Sequence, residues 1–444
     1  MDGVAARAKA STPAAERARR RVNLVAEVLE RRSDRVMVVV CVLLTVVGAA
    51  AAVHEGKTLK FFDERQYVQI AGNLAHHGVF SINGHTPTAY RPPTWPLFLG
   101  LLRFLGAGVV AMRVVNVLLL VAAVFILYRV VSRWTRPIVG IAAGVLVACY
   151  PLLVYTATTL YPQTSALLLL VVVLWLVGRE GSRPAVELAL AGIALGVLVL
   201  DVTTFAYLLP FLPLFSPRRR VAYLKGLGLV AAGTILVIGV WTVRNEIALH
   251  HLFFVSTNGG TNLLLGNSPH AGADTGVSAN IAVYTEHAAH LSGEVAQNNY
   301  YQHEALSWIT HHPTSAAHLY VLKLLNFFNS DNTLATAGAG SSLQGALLTA
   351  YYAVLGMLLV ARVALWSRVR WHWLSGWCLA VYLVGAVVSA VFFTRVRLRG
   401  PYDVLLIIAI APLACLLFTD RGSPDSGSED LALVPEATSV DSRA

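Results

Sequence analysis

Long apolar runs divided by short polar stretches make up most of the chain. Runs near 36–53, 110–132, 137–156, 343–362, 373–394 and 402–419 approach the roughly 20 apolar residues that a membrane-spanning helix needs. The region 161–243 adds four more, at 161–178, 184–200, a short one at 203–217, and 222–243. The pattern predicts an all-α polytopic membrane protein with about ten transmembrane helices. Asp201 and Thr203-Thr204 interrupt the 184–217 block, which reads as a tight turn between two antiparallel helices. One long kinked helix is the alternative there, and it would change the count.

Loop charges give the spans a direction. With the basic N-terminus in the cytoplasm, Arg129, Arg133 and Arg136, then Arg179 and Arg183, Arg218 to Arg220, and Arg368 with Arg370 all fall on the cytoplasmic side. This agreement requires that two short apolar stretches not cross. Residues 94–106 carry Arg103, and 316–329 carry Lys323 and Asn326. Both are expected as juxtamembrane helices on the outer face.

The chain divides accordingly into a basic cytoplasmic segment (1–35), a transmembrane domain (36–419) and a polar, disordered cytoplasmic tail (420–444). The domain contains a first outer loop (54–109) and one sizeable extracytoplasmic loop (244–342). The expected location is the plasma membrane, with both termini cytoplasmic. Composition agrees: 56% of the 444 residues are hydrophobic and 13% charged, against about 25% charged in soluble domains. The net charge of +10 could suggest nucleic acid, but no binding fold accompanies the basic arm, which reads as an anchor on anionic lipid. Cys41, Cys149, Cys378 and Cys415 lie in apolar spans without metal-ligand spacing and are expected as buried thiols.

Against this frame six arginines stand on the side where the charge rule does not expect them: Arg65, Arg91, Arg244, Arg395, Arg397 and Arg399. Snorkelling to headgroups would explain one or two. Six point to an anionic ligand, and a phosphate-bearing lipid suits the bidentate guanidinium. An adjacent acidic pair, Asp63-Glu64, follows the first span. Tyr67, Ile70, Ala71 and Leu74 mark one face of a helix there, with Gln66 at capping-box spacing from Asp63. Asp63 can therefore be a helix cap or a general base that takes a proton from an attacking hydroxyl. The histidines of the large loop (His250, His251, His270, His287, His290, His303, His311, His312) show no His-Glu-x-x-His arrangement and read as a solvated loop.

Three stretches resemble a known family in order. The first runs Asp63-Glu64-Arg65-Gln66-Tyr67, Ala71-Gly72-Asn73-Leu74, Gly78 and Tyr90-Arg91-Pro92-Pro93-Thr94-Trp95-Pro96. The second is Trp241-Thr242-Val243-Arg244-Asn245 with Asn258, Asn262 and Gly266-Asn267. The third is Arg395-Val396-Arg397-Leu398-Arg399-Gly400-Pro401. Together they resemble the GT-C membrane glycosyltransferases, in the branch of the protein O-mannosyltransferases and lipid A aminoarabinose transferases, over about 36–419.

The resemblance implies a GT-C fold and transfer of a mannose- or arabinose-type sugar from a polyprenyl-phosphate donor to an acceptor hydroxyl at the outer face, with inversion. The acceptor would be a cell-envelope glycan, lipid or protein. Asp63 would take the catalytic position and Glu64 would be a second acidic contact. Arg91, Arg395, Arg397 and Arg399 would bind donor phosphate. Arg65, Tyr67, Arg244, Asn245, Asn258, Asn262 and Asn267 would belong to the substrate loops. No cofactor is implied with certainty; a divalent metal stays open.

Two positions depart from the family pattern. Gln163 stands where an acidic residue is usual, and Leu200-Asp201-Val202-Thr203-Thr204 where a Thr followed by Lys or Arg is common. Both bear on which sugar is taken. The competing class is a lipid or lipid-linked-sugar transporter, which would place ionisable groups near the bilayer midplane. Asp201 is nearly the only acidic residue amid the spans, which favours the enzyme.

Overall fold

A computed structural model describes residues 27–179, 183–215, 222–330, 342–369 and 372–417. The N-terminal arm up to residue 26, Arg218 to Arg220, Arg370 and the C-terminal tail lie outside the described residues. Those described form helices and connecting turns, with no strand among them.

The chain opens with a long apolar helix, α1 (Ser33–Glu55), followed by two short helices, α2 (Phe62–His77) and α3 (Thr94–Phe104). A second long helix, α4 (Val109–Trp134), runs antiparallel to α1. Arg129 near its end pairs with Asp34 at the start of α1, while Arg113 near its start reaches the Thr58 carbonyl just beyond the end of α1. The next run is broken into α5 (Pro137–Ala148) and α6 (Pro151–Ala157), bent by 61°. Pro151 lacks an N–H and keeps Tyr150 extended (φ −77°, ψ 107°), so the helix must restart there.

Two shorter apolar helices follow, α7 (Gln163–Val177) and α8 (Pro184–Val199), and then the long α9 (Tyr223–Leu249). α8 and α9 cross closely. A Cβ on Gly233 would meet the Ala189 carbonyl oxygen at 2.4 Å, and the Thr234 hydroxyl donates to the Gly192 carbonyl at 3.0 Å. Small residues at such a crossing let the backbones touch where lipid supplies no hydrophobic drive.

The long polar segment carries α10 (Gly259–Gly266), α11 (Ala282–Ala289), α12 (Gly293–His311) and α13 (Pro313–Asn326). The chain then returns to apolar helices α14 (Ser342–Ala364), α15 (Trp373–Val391) and α16 (Val396–Ile410). Within the apolar window of α16 and its continuation 89% of residues are buried, against 11% for α14. α16 is thus the most enclosed of the apolar candidate spans, with Arg397 and Arg399 in its first turn.

Among the described residues six helices are long and apolar enough to cross a membrane: α1, α4, α9, α14, α15 and α16 with its 3-10 continuation to Leu416. The bent pair α5–α6 makes seven if counted as one span. The chain is therefore a multi-pass helical protein, but among the described residues the expected ten spans are not all found. α7 and α8, at 15 and 16 residues, rise only about 22–24 Å against a hydrocarbon core of about 30 Å. The expected span at 203–217 forms two 3-10 turns, Thr203–Leu208 and Leu212–Phe215, where Pro210 and Pro213 remove the amide donors a continuous helix would need. α3 and α13, at 11 and 14 residues, are too short to span, and they cover the stretches 94–106 and 316–329 expected not to cross. Three cysteines are buried, but Cys149, at the α5–α6 bend, is exposed.

Candidate active site

Four segments that are remote in sequence meet at the end of the bundle where α1 ends and α4 begins. A small apolar cluster beneath them, formed by Tyr67, Ala71, Trp95, Leu99, Met112, Leu160 and Tyr161, fixes their spacing. The Trp95 indole donates to the Leu160 carbonyl at 2.8 Å, and the Leu160 amide to Glu64 Oε1 at 3.1 Å. The Thr94 amide donates to the Leu200 carbonyl at 3.1 Å, docking the start of α3 on the end of α8.

Asp63 stands over this floor. Its Oδ1 accepts from Arg91 Nη2 at 2.5 Å, and its Oδ2 lies 3.5 Å from Arg397 Nη2. α2 has Phe61 at its N-cap with no side-chain cap hydrogen bond; the partners of Asp63 are instead guanidiniums from a distant loop, Arg91, and from the first turn of α16, Arg397. Gln66, at capping-box spacing, instead accepts from Arg91 Nε at 2.8 Å and Nη2 at 2.6 Å. The Arg397 guanidinium lies 3.8 Å from the ring centre of Tyr161, and that of Arg91 sits 5.4 Å from Tyr67 and 5.2 Å from Tyr90. About a quarter of the Asp63 and Arg397 side chains remains open, at 26% and 28%.

Burial alone would raise the Asp63 pKa. Arg91 and then Arg397 outweigh it and hold the carboxyl below its ordinary range. The Tyr67 phenol is pushed up to about 12, chiefly by burial.

The other expected site residues divide clearly. Glu64 is fully buried: Oε1 accepts from Arg113 at 2.9 Å and Oε2 from the Lys60 amide at 3.0 Å. It braces the loop before α2 against α4. Arg395 lies near the site but donates to the Thr275 carbonyl at 3.1 Å and the Ser278 hydroxyl at 3.2 Å. Arg399 is buried against Asp403 at 3.1 Å and donates to the carbonyls of Phe327 and Asn329. Tyr150, Tyr352 and Tyr382 hydroxyls complete the Asp403 shell. Arg65 is exposed and reaches the Lys60 carbonyl at 3.4 Å.

Arg244 is wedged between Phe80 and Trp241, 5.4 and 4.8 Å from their ring centres, and donates to the Thr88 carbonyl at 2.8 Å. It shapes the loop that presents Arg91. Glu294 holds the same loop through the Thr88 hydroxyl at 2.5 Å and the Ala89 amide at 2.6 Å. Asn245 donates to the Phe253 carbonyl, Asn258 accepts from Ser256, and the Asn262 amide donates to the Asn258 carbonyl within the α10 turn. Asn267 donates to Val391 and accepts from Lys323. These asparagines shape the loop itself.

Arg113 and Asp201 were not among the candidates. An arginine three residues into an apolar run signals a buried partner, and Arg399 with Asp403 shows the i,i+4 spacing of a helical ion pair. Asp201 is 3% exposed, and its Oδ2 lies 2.6 Å from the Ser165 hydroxyl. Burial pushes its pKa up to about 8. Lys323, fully buried on α13, donates to the carbonyls of Gly266 and Phe392 at 2.8 Å each, and burial brings its pKa down to about 8.

Among the described residues no three His, Cys, Asp or Glu side chains come together as a metal would require. Beside Asp63 a divalent cation would meet one carboxylate and two guanidiniums, a donor set that does not fit it.

No family profile matches this sequence, and no curated protein does. Among solved structures, the chain is similar to ArnT from Cupriavidus metallidurans bound to undecaprenyl phosphate, at 13% identity and a TM-score of 0.38, covering 86% of this chain and 77% of that one. It is also similar to the Archaeoglobus fulgidus oligosaccharyltransferase complex with Zn and sulfate, at 13% identity and a TM-score of 0.37, covering 84% of this chain and 48% of that one. These are distant likenesses.

Proposed function

We propose that this protein is a membrane glycosyltransferase that moves a sugar from a polyprenyl-phosphate donor to an acceptor hydroxyl at the outer membrane face, with Asp63 as general base. The observation that carries this reading is the part-open carboxylate of Asp63 held between Arg91 and Arg397. One carboxylate between two guanidiniums leaves a net positive charge, and a phosphate is the ligand that satisfies it. The sequence resemblance points the same way.

In the free protein Asp63 is a weak base, because the arginines stabilise its charged form. Donor phosphate competes for those arginines and raises the proton affinity of Asp63 as it binds. The acceptor hydroxyl then gives its proton to Asp63 while its oxygen bonds to the anomeric carbon. The bond from that carbon to the phosphate oxygen breaks on the opposite side, so the configuration inverts. Polyprenyl phosphate leaves with the electron pair, stabilised by Arg91 and Arg397. Glu64, locked on Arg113, stays outside this step.

The test is sugar transfer into membranes from a panel of radiolabelled polyprenyl-phosphate sugars. Asp63→Asn should lower the rate by about 10²–10⁴-fold, the usual contribution of a general base. A folded Asp63→Asn protein that transfers at the wild-type rate would overturn the assignment.

A further inference from the structure

The first turn of α7 and the end of α8 hold three buried oxygens without hydrogen-bond partners: Gln163 Oε1, Thr164 Oγ1 and Asp201 Oδ1. The residues are 4%, 0% and 3% exposed. They lie around the Ser165–Asp201 contact, one residue from the Leu200 carbonyl on which Thr94 docks and two from Tyr161 under Arg397. Asp201 is also close enough to act electrostatically on Tyr67. The unpartnered group therefore borders the Asp63 site.

Leaving one buried polar oxygen unpaired costs about 1–3 kcal/mol. Three in one neighbourhood call for a ligand rich in hydrogen-bond donors. We propose that Gln163, Thr164 and Asp201 receive the hydroxyl groups of the transferred sugar, and that this sugar is uncharged. The inference rests on the glycosyltransferase reading and deepens it.

The charge argument is local. Among the described residues no cation is paired with Asp201, whose hydrogen-bond partner is Ser165. The Ser165 hydroxyl also lies 2.8 Å from the Pro162 carbonyl. A neutral Asp201 donates to Ser165 through Oδ2, Ser165 donates to Pro162, and Oδ1 stays free to accept from a sugar hydroxyl.

The test uses the full chain in nanodiscs and measures binding by thermal stabilisation. The probes are undecaprenyl phosphate, the same lipid phosphate bearing a neutral hexose or pentose, and one bearing an aminopentose. Wild type should bind a neutral sugar-lipid about tenfold or more tighter than the bare lipid phosphate, the worth of one or two hydrogen bonds. Asp201→Asn, which mimics the neutral acid, should keep that preference to within about threefold. Asp201→Leu and Gln163→Leu should lose it while still binding bare lipid phosphate as wild type does. Should Asp201→Leu not fold, Thr164→Val removes one oxygen at similar size and reads the same loss.

Equal binding of bare and sugar-bearing lipid by wild type would overturn the proposal. So would variants that lose both ligands together. A preference for the aminopentose lipid that Asp201→Asn abolishes would overturn the uncharged assignment. Sugar-lipid discrimination without any transfer would sink the glycosyltransferase reading and leave this one standing.

Discussion

Arg113 Nη2 donates to Glu64 Oε1 across 2.9 Å, and neither side chain is more than 1% exposed. Asp63, one residue earlier, instead lies in a part-open site between Arg91 and Arg397. Two adjacent carboxylates thus have separate work. Removing one partner of a buried ion pair strands the other charge, at about 3–5 kcal/mol. Glu64→Ala should therefore lower the thermal midpoint in detergent sharply, while Asp63→Asn shifts it far less. Equal shifts would show that both carboxylates serve the fold.

The Asp63 ion pairs also set a pH window. The folded pKa lies below the ordinary carboxylate value of about 3.9. Their contribution to stability is therefore present in full above that value and is lost as pH falls through the folded pKa. The difference in thermal midpoint between wild type and Asp63→Asn should hold steady from pH 7 to about 5 and shrink only below about 4. A difference that vanished near pH 6 would contradict the depressed pKa.

What the sequence made legible follows from the range of each interaction. Apolar periodicity and loop charges are local, and they marked the helices, the short stretches 94–106 and 316–329, and both arms of the site. Asp63 and Arg91 were visible as isolated charges, and Arg397 as a cation beside a span. Which of six arginines would reach Asp63 was not visible, because that depends on how α16 threads the core. Arg399 rotates one turn away to Asp403, and Arg244 turns back between two aromatic rings. The span expected at 203–217 gives way to two 3-10 turns, because Pro210 and Pro213 lack the amide donors that a regular helix needs.

Lys323 joins the polar segment to the helix that precedes the arginines. It gathers carbonyls at the ends of α10 and α15, where helix dipoles favour a cation. Lys323→Met keeps the length but leaves Gly266 and Phe392 oxygens unpaired, each at about 1–3 kcal/mol. The variant should show faster proteolysis within 250–328 and a lower thermal midpoint. Unchanged proteolysis would mean that α13 is held by other contacts.

Arg244 reaches the site through the loop that carries Arg91. A lysine at this position keeps the charge but loses the planar stack between Phe80 and Trp241 and the fork onto two carbonyls. Arg244→Lys should raise KM for the lipid donor by about tenfold with kcat changed much less, since Arg91 would be less well held before the donor binds. A fall in kcat alone would place Arg244 in the chemical step.

Arg397 offers the sharpest test of phosphate binding, because its guanidinium is both stacked on Tyr161 at 3.8 Å and paired with Asp63. Charge-assisted hydrogen bonds are worth about 1.5–3 kcal/mol, so Arg397→Ala should weaken undecaprenyl phosphate binding by roughly 10- to 150-fold. Arg397→Lys should recover the charge but not the flat stack, and fall between the two. Tyr161→Leu removes the ring without touching any charge, and should weaken binding less than Arg397→Ala does. If Arg397→Ala binds the lipid phosphate as wild type does, the phosphate lies elsewhere, and the pairing with Asp63 serves only to hold α16 against α2.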